Sequence, residues 1–265
     1  MQLFTIIKRN VPTKIKAILY YYFKICYYHI LNIYHFRKPI NYKNVPIIIN
    51  NFNRLTSLKL LIHSLEIRGY YNIYIIDNQS TYPPLLNFYK TCPYHIFKLD
   101  KNYGYKAIWE TPIYNLFKKS FYVYTDSDMQ IDDLCPDNFI EHFLKIMKKY
   151  PKSRKVGFGI RIDNLPDHYK FKSNVIKHET QFWNEEIEPN IYKASIDTTF
   201  AIYRPYYGEA ANYKEETYRT GYPYLIKHLP WYIDSEHLDE EELYYISNIN
   251  QSTHWSITIK KNLAT

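Results

Sequence analysis

Between residues 45 and 128 the apolar residues fall into short runs, and each run ends in a polar cluster. Val45-Pro46-Ile47-Ile48-Ile49 ends at Asn50-Asn51, and Ile73-Tyr74-Ile75-Ile76 ends at Asp77-Asn78. His95 to Leu99 ends at Asp100-Lys101-Asn102, and Phe121-Tyr122-Val123-Tyr124-Thr125 ends at Asp126-Ser127-Asp128. Runs of this length, rich in Ile, Val and Tyr, predict buried strands. Between the first two, Leu55, Leu58, Leu61, Ile62 and Leu65 recur at helical spacing, with Asn53 placed to cap the helix and Gly69 to stop it. A short helix is expected around Leu85 to Tyr89 and a longer one over Ile108 to Phe117. Strand, helix, strand at this spacing predicts parallel crossover units. In a parallel sheet the four polar clusters share one edge, where they line a polar cleft.

Beyond Asp128 the pattern continues less regularly. Asn138 and Glu141 have capping-box spacing, and Phe139, Phe143, Ile146, Met147 and Tyr150 form one apolar helix face. A strand over Val156 to Ile162, a polar helix near Lys177 to Trp183 and a strand from Ser195 to Tyr203 follow. The remainder reads as irregular and aromatic through His228-Leu229-Pro230-Trp231-Tyr232, apart from a helix over Asp239 to Ser247. It serves either as a lid or acceptor wall or as plain sheet cover.

The 265 residues suit one large α/β domain with additions. A formal charge of +8 invites a nucleic-acid reading until it is located. Eight of the 34 Lys and Arg, and none of the 26 Asp and Glu, lie in residues 1–44, so the rest of the chain is balanced. A balanced body lacks the basic face that phosphate backbones require, and nucleic acid is excluded as its partner. The chain therefore divides into a basic, aromatic arm, residues 1–44, and a body, residues 45–265. Within the arm, Ile15 to Phe36 is interrupted by Lys16, Lys24, His29, Asn32 and His35. A central Lys costs about 2.5–3.5 kcal/mol on insertion scales, which disfavours spanning a bilayer. Two readings stay open: a helix lying on an anionic membrane surface, or one packed on the body. Three cysteines without ligand-like spacing indicate neither a disulfide framework nor a zinc site, and cytoplasmic residence, with or without peripheral membrane contact, is expected.

Asp126 and Asp128 are two apart at a strand end, so their carboxylates can converge on one hard cation. Such an ion keeps coordination sites free for substrate phosphates. The alternative is an acidic turn that ends the strand. The chain has no G-x-G-x-x-G, P-loop or G-x-S-x-G motif, which disfavours dinucleotide oxidoreductases, P-loop enzymes and serine hydrolases of that type. What remains suits neutralisation of a departing diphosphate.

Asn50-Asn51-Phe52-Asn53-Arg54, Asp77-Asn78-Gln79-Ser80, Asn102-x-Gly104 and Thr125-Asp126-Ser127-Asp128 together resemble the GT-A fold glycosyltransferases, most closely the family 2-like bacterial enzymes. The resemblance covers about Val45 to Tyr203. It implies a Rossmann-like, mostly parallel sheet flanked by helices, and a hexosyltransferase-like activity that uses a nucleoside-diphosphate sugar and a divalent cation, Mn2+ or Mg2+. It places Asn51 and Arg54 beside the nucleotide, Asp77 on its base or ribose, and Asn102 and Gly104 along the cleft. Asp126 would contact ribose or metal, Asp128 would ligate the metal, and His228 resembles the histidine that completes the metal site in many relatives. Inverting transfer to a glycan, lipid-linked or protein acceptor needs a carboxylate base. Asp197, in Ser195-Ile196-Asp197-Thr198-Thr199, is favoured, with Glu185, Glu186 and Asp234 as rivals. The family's Glu-Asp pair at a helix start is not evident here, which leaves base and stereochemistry open. Lys106 and Trp109 read as surface and core, and Trp183 and Trp231 as core or sugar-stacking residues. A sugar nucleotidyltransferase is the rival enzyme, although Asn50 to Arg54 is not the glycine-rich basic loop it wants. A non-catalytic glycan-binding protein is the rival outside catalysis.

Overall fold

The computed structural model describes residues 13–197, 199–206 and 216–249. Strands β1 (Ile47–Asn51), β2 (Ile73–Asp77), β3 (His95–Lys98) and β4 (Tyr122–Asp126) pair in parallel in the order β3-β2-β1-β4. Alternation along each strand sorts the side chains. Ile47, Ile49, Ile75 and Val123 enter one core, whereas Ile48, Ile76, Tyr122 and Tyr124 enter a second. A strand buried on both faces reads as an unbroken apolar run, which accounts for Ile47-Ile48-Ile49.

Among the helices, α1 spans Thr13–His35, α2 Thr56–Glu66, α3 Pro83–Phe88 and α4 Tyr114–Phe117. They are followed by α5 (Phe139–Lys149), α6 (Lys172–Thr180) and α7 (Glu240–Asn248). Leu58, Leu61, Ile62 and Leu65 of α2 and Phe139, Phe143, Ile146 and Met147 of α5 pack into the first core, each set at helical spacing. Gly69 (φ 75°) follows α2 as the expected stop, its N–H donating to Glu66 O at 2.9 Å. Asn53 does not cap α2. Its φ of 52° turns it into the loop, where its Oδ1 accepts from the backbone N–H groups of Thr81 and Tyr82 at 2.7 and 3.0 Å. The second core is closed by residues 104–117, with Ala107, Ile108, Ile113 and Phe117 buried. The helix expected over Ile108 to Phe117 is reduced to the four residues of α4 behind a series of turns. Pro112 supplies no N–H for a continuous ladder.

The second half of the sheet is mixed. After β4 the order runs β9 (Ala201–Tyr203), β6 (Ser153–Ile160), β10 (Glu216–His228), β8 (Ile191–Lys193) and β7 (Glu186–Glu188), while β5 (Met129–Ile131) pairs with β10. Strand β9 is antiparallel to β4 and β6, and β10 is parallel to β6 but antiparallel to β5 and β8. The α/β class holds, with the parallel pairing concentrated around β1. Four local expectations change. The strand over Ser195 to Tyr203 is confined to β9, so Asp197 lies in an irregular segment. The helix near Lys177 to Trp183 begins earlier, as α6, and ends in a 3-10 turn over Gln181–Trp183. Asn138 precedes α5 but donates its Nδ2 to Glu141 Oε2 (3.2 Å) and forms no N-terminal side-chain cap. The tail expected to be irregular contains the longest strand, β10; its register shifts between Thr220 and Leu225, where Gly221 and Pro223 are absorbed as a bulge. Gly157 of β6 is required for close packing on β9, since a Cβ there would meet Phe200 O at 2.5 Å.

The carboxyl-terminal turns of α1 dock on the body. The buried Arg204 guanidinium donates to Asn32 Oδ1 (3.0 Å), Met147 O (2.8 Å) and Ser153 O (2.9 Å), and Asn32 Nδ2 donates to Lys148 O (2.8 Å). Phe36 and His35 pack on Phe121, with centroids 5.1 and 6.0 Å away. Among the described residues, no helix is long and apolar enough to cross a membrane.

Candidate active site

The polar ends of the four parallel strands are joined by their own hydrogen bonds. Asn78 N–H donates to Asn51 O (2.8 Å), Leu99 N–H to Asp77 O (2.9 Å) and Ser127 N–H to Asn50 O (3.1 Å). Gly104 adopts φ 62°, and its carbonyl accepts from Asn78 Nδ2 (2.9 Å) and Asn50 Nδ2 (3.3 Å). Asn102 Oδ1 fixes the same loop by accepting from Gly104 N–H at 2.7 Å. Asn50 Nδ2 also lies 3.3 Å from Asp126 Oδ1, so β1, the Gly104 loop and the end of β4 meet at one amide. Deeper in the wall, Asn51 Nδ2 donates to Tyr89 Oη (2.9 Å), whose hydroxyl donates to Asp77 Oδ1 (3.5 Å). Burial pushes the Asp77 carboxyl up, against hydrogen bonds from Ser80 that pull it down.

The last carboxylate of the motif sits at a junction. Strand β5 pairs antiparallel with the end of β10, setting His228 opposite Met129, and Leu229 N–H donates to Asp128 O at 2.9 Å. His228 Nε2 consequently lies 3.5 Å from Asp128 Oδ2. Arg54 approaches the same oxygen at 3.9 Å. Burial alone would raise the Asp128 carboxyl, but His228 and Arg54 outweigh it and hold the group below the usual carboxylate range. Arg54 is itself buried and clamped by α7. Its Nη1 and Nη2 donate to Glu242 at 2.6 and 3.2 Å, and its guanidinium lies 3.8 Å from the Tyr245 ring centroid. Glu241 of the same helix accepts from Leu55 N–H (2.8 Å), Thr56 N–H (2.9 Å) and Thr56 Oγ1 (2.9 Å), capping α2 from a distant part of the chain. Tyr245 is raised by burial, with Asp128, Glu242 and Asp126 adding to the shift.

The structure thus brings Asn50, Asn102, Gly104 and Asp126 into one hydrogen-bonded loop cluster, and Arg54, Asp128 and His228 into an adjacent charged one. Asn51 and Asp77 stand behind them, linked through Tyr89. Asp197 is exposed in the segment before β9, where its backbone carbonyl accepts from Lys155 Nζ (3.3 Å). The antiparallel register of β4 and β9 pairs Tyr124 with Ala201 and stops there, so Asp197 lies in the irregular segment that leads into β9. Of the rivals, Glu185 is exposed just before β7 and Glu186 is exposed at its first position, and Asp234 accepts from His237 at 2.9 Å. Trp231 is buried in the first core with its edge to His228, whereas Trp183 fills the space beside Gly159. Trp109 packs edge-on to Tyr124 and donates to Tyr122 Oη at 3.1 Å.

Asn50, Asn78, Glu242 and Tyr245 are site residues that the sequence reading assigned no role. The two asparagines stood inside recognised clusters and could have been included. The two residues of α7 carried no local signal, because Glu242 reaches an arginine 188 positions away.

Among the described residues, no group of three or more His, Cys, Asp or Glu side chains is gathered to hold a metal ion. The donor set is nevertheless of the right chemistry: a carboxylate held ionised, an imidazole 3.5 Å away and a second carboxylate two residues earlier. His228 Nδ1, Asn50 Oδ1 and Asn51 Oδ1 are buried and find no hydrogen-bond partner among the described residues. Such orphaned atoms are uncommon in folded proteins, and a ligand or ordered water is one way to satisfy them.

No family model matches the sequence, and no curated protein matches it. Among solved structures, the chain is similar to GalNAc-T7 crystallised with UDP, GalNAc and Mn2+: identity is 12%, covering 70% of this chain and 43% of that one, with a TM-score of 0.46. A 1–349 fragment of S. aureus TarS is 13% identical over 82% of this chain and 69% of that one, with a TM-score of 0.42. Glucosyl-3-phosphoglycerate synthase from Mycobacterium tuberculosis is 10% identical over 61% of this chain and 57% of that one, with a TM-score of 0.38. The chain therefore spans less than half of the first of these and somewhat over half of the last. At such scores the likeness is remote, and function rests on the site itself.

Proposed function

We propose that residues 45–265 form a GT-A glycosyltransferase that moves a sugar from a nucleoside diphosphate to an acceptor hydroxyl, with residues 1–44 as an accessory arm. The observation that carries the reading is the meeting of Asp128, His228 and Arg54 at the carboxyl edge of the parallel strands, beside the Asn50–Gly104–Asp126 cluster. Ligands of open α/β sheets bind at that edge. A divalent cation, Mn2+ or Mg2+, held by Asp128 and His228 with Asp126 at its rim, would supply positive charge to the departing diphosphate. Arg54 adds a fixed guanidinium at the same point, and Glu242 and Tyr245 keep it aligned. Asp77 and Asn51 support the wall against which the nucleoside lies, and Asn102 shapes the Gly104 loop beside it.

In an inverting transfer the acceptor oxygen bonds to the anomeric carbon as the bond from that carbon to the diphosphate oxygen breaks. The diphosphate leaves with the bonding pair, and the acceptor proton passes to a carboxylate, for which Asp197 is the choice. Its support is a carboxylate exposed in the segment that leads into β9, the strand paired with β4. Acceptors of the glycan, lipid-linked or protein type all present such a hydroxyl. A nucleotidyltransferase fits less well, because Arg54, the only basic residue in the loop after β1, is turned into a carboxylate clamp. The reading is tested by incubating the protein with a panel of nucleoside-diphosphate sugars and measuring released nucleoside diphosphate with Mn2+ or with EDTA. Metal-dependent release from at least one donor is expected. Failure of every donor to be turned over or bound contradicts it.

A further inference from the structure

Helix α1 has two faces, and the apolar one points away from the body. Tyr28, Leu31, Asn32 and His35, spaced three or four apart, lie on the docked side, where Tyr28 is buried and Asn32 is held by Arg204 and Lys148 O. At 3.6 residues per turn, Phe23, Tyr27, Ile30 and Tyr34 fall on the opposite side, flanked by Tyr22, Cys26 and Ile33. Ile33 is 71% exposed, Ile30 65%, Tyr22 61% and Phe23 55%. A helix that merely covers a body turns its apolar side inward. A contiguous apolar stripe turned outward marks an interaction surface.

Charge selects the occupant. Residues 1–44 carry eight Lys or Arg and no acid. Arg37 and Lys38 are exposed at the end of the helix, and the Arg37 guanidinium lies 4.0 Å from the Tyr34 ring centroid. A second copy of this helix would set like charge against like. An anionic lipid surface offers opposite charge at its headgroups and an apolar layer beneath, where tyrosine's polar tip and apolar ring are both accommodated.

We propose that α1 lies along an anionic membrane surface with Tyr22, Phe23, Tyr27, Ile30, Ile33 and Tyr34 facing the lipid. The surface does not depend on the reaction proposed above, and its test reads no turnover, so either can fail alone. The full chain would be sedimented with phosphatidylcholine vesicles containing or lacking about 30% phosphatidylglycerol. Binding to the anionic vesicles is expected, with loss at high salt and little binding to neutral ones. The double variant Ile30→Glu/Ile33→Glu should keep the wild-type Tm and partition at least about tenfold less. Should it misfold, Arg37→Glu/Lys38→Glu provides the same reading through charge. The proposal is overturned if the wild type fails to sediment with anionic vesicles, or if folded variants bind as well as the wild type. It is also overturned if light scattering shows a dimer that the variants dissociate, which would put a second copy on this face.

Discussion

Asp128 gathers His228 from the end of β10 and Arg54 from the loop before α2, and through Arg54 it is tied to Glu242 of α7. Its carboxyl is held below the usual carboxylate range by its partners, so it is an anion at neutral pH. Asp128→Asn removes that charge while leaving Arg54 paired with Glu242. Transfer should fall by more than the roughly 10–100-fold typical of residues that only support a metal site, with little change in Tm. Full activity in this variant would remove Asp128 from the chemistry. Glu242 belongs to a different category, since Arg54 and Glu242 are a buried ion pair. Glu242→Ala leaves a buried guanidinium with Asp128 3.9 Å away as its remaining carboxylate. Losing one partner of such a pair costs about 3–5 kcal/mol, and Asp128 should keep this case near the lower end. Thermal or denaturant unfolding reads the loss directly; unchanged stability would mean that α7 is not held through this clamp.

At the scale of elements, β1 to β4 were legible because each is a short apolar run closed by a polar cluster, and the sharing of one edge by those clusters followed from parallel crossovers, whereas the strand order did not. The half that follows was less so. Gly221 and Pro223 disguise β10, whose pairing with β6 comes from long-range register that no local pattern records. Pro112 dissolves the helix expected before β4, and Asp197 falls outside β9 because the pairing with β4 stops at Ala201. The strand-end residues Asn50 to Arg54 and Asp126 to Asp128 were visible, but the partners supplied by α7 and β10 were set by tertiary packing. The segment before β9 carries its own prediction. Asp197→Asn keeps size and polarity while removing proton affinity, and a general base should then lose transfer by roughly 10²–10⁴-fold. Donor affinity measured by calorimetry should barely change. Lost donor binding would move Asp197 to the nucleotide wall, and near-normal transfer would shift the search to Glu185, Glu186 and Asp234. The docking of α1 is tested through pH. Burial, and then the charge of Arg204, lower His35 from 6.5 to about 4. The folded chain therefore resists a proton that the unfolded chain accepts. Its contribution to stability is intact above about 6.5 and is lost as pH falls toward 4. The Tm of His35→Gln should fall less than that of the wild type across this window, and identical slopes would contradict the docking contact.

As a whole, the molecule combines a charge-balanced α/β body with a basic helix, and α7 folds back to clamp the loop after the first strand. The long chain separation between Arg54 and Glu242 makes the site dependent on completion of the fold, since α7 supplies both the clamp on Arg54 and the cap on α2. Under the proposed function the strand-end cluster around Asp128 binds a nucleoside-diphosphate sugar together with a divalent cation. The most direct measurement is nucleoside diphosphate release from a donor panel by wild type and Asp128→Asn, each treated with EDTA and then supplied with Mn2+. Release by the wild type that EDTA abolishes and Mn2+ restores is expected, with none above background from a folded Asp128→Asn. Release that is indifferent to both the chelator and the substitution would contradict it.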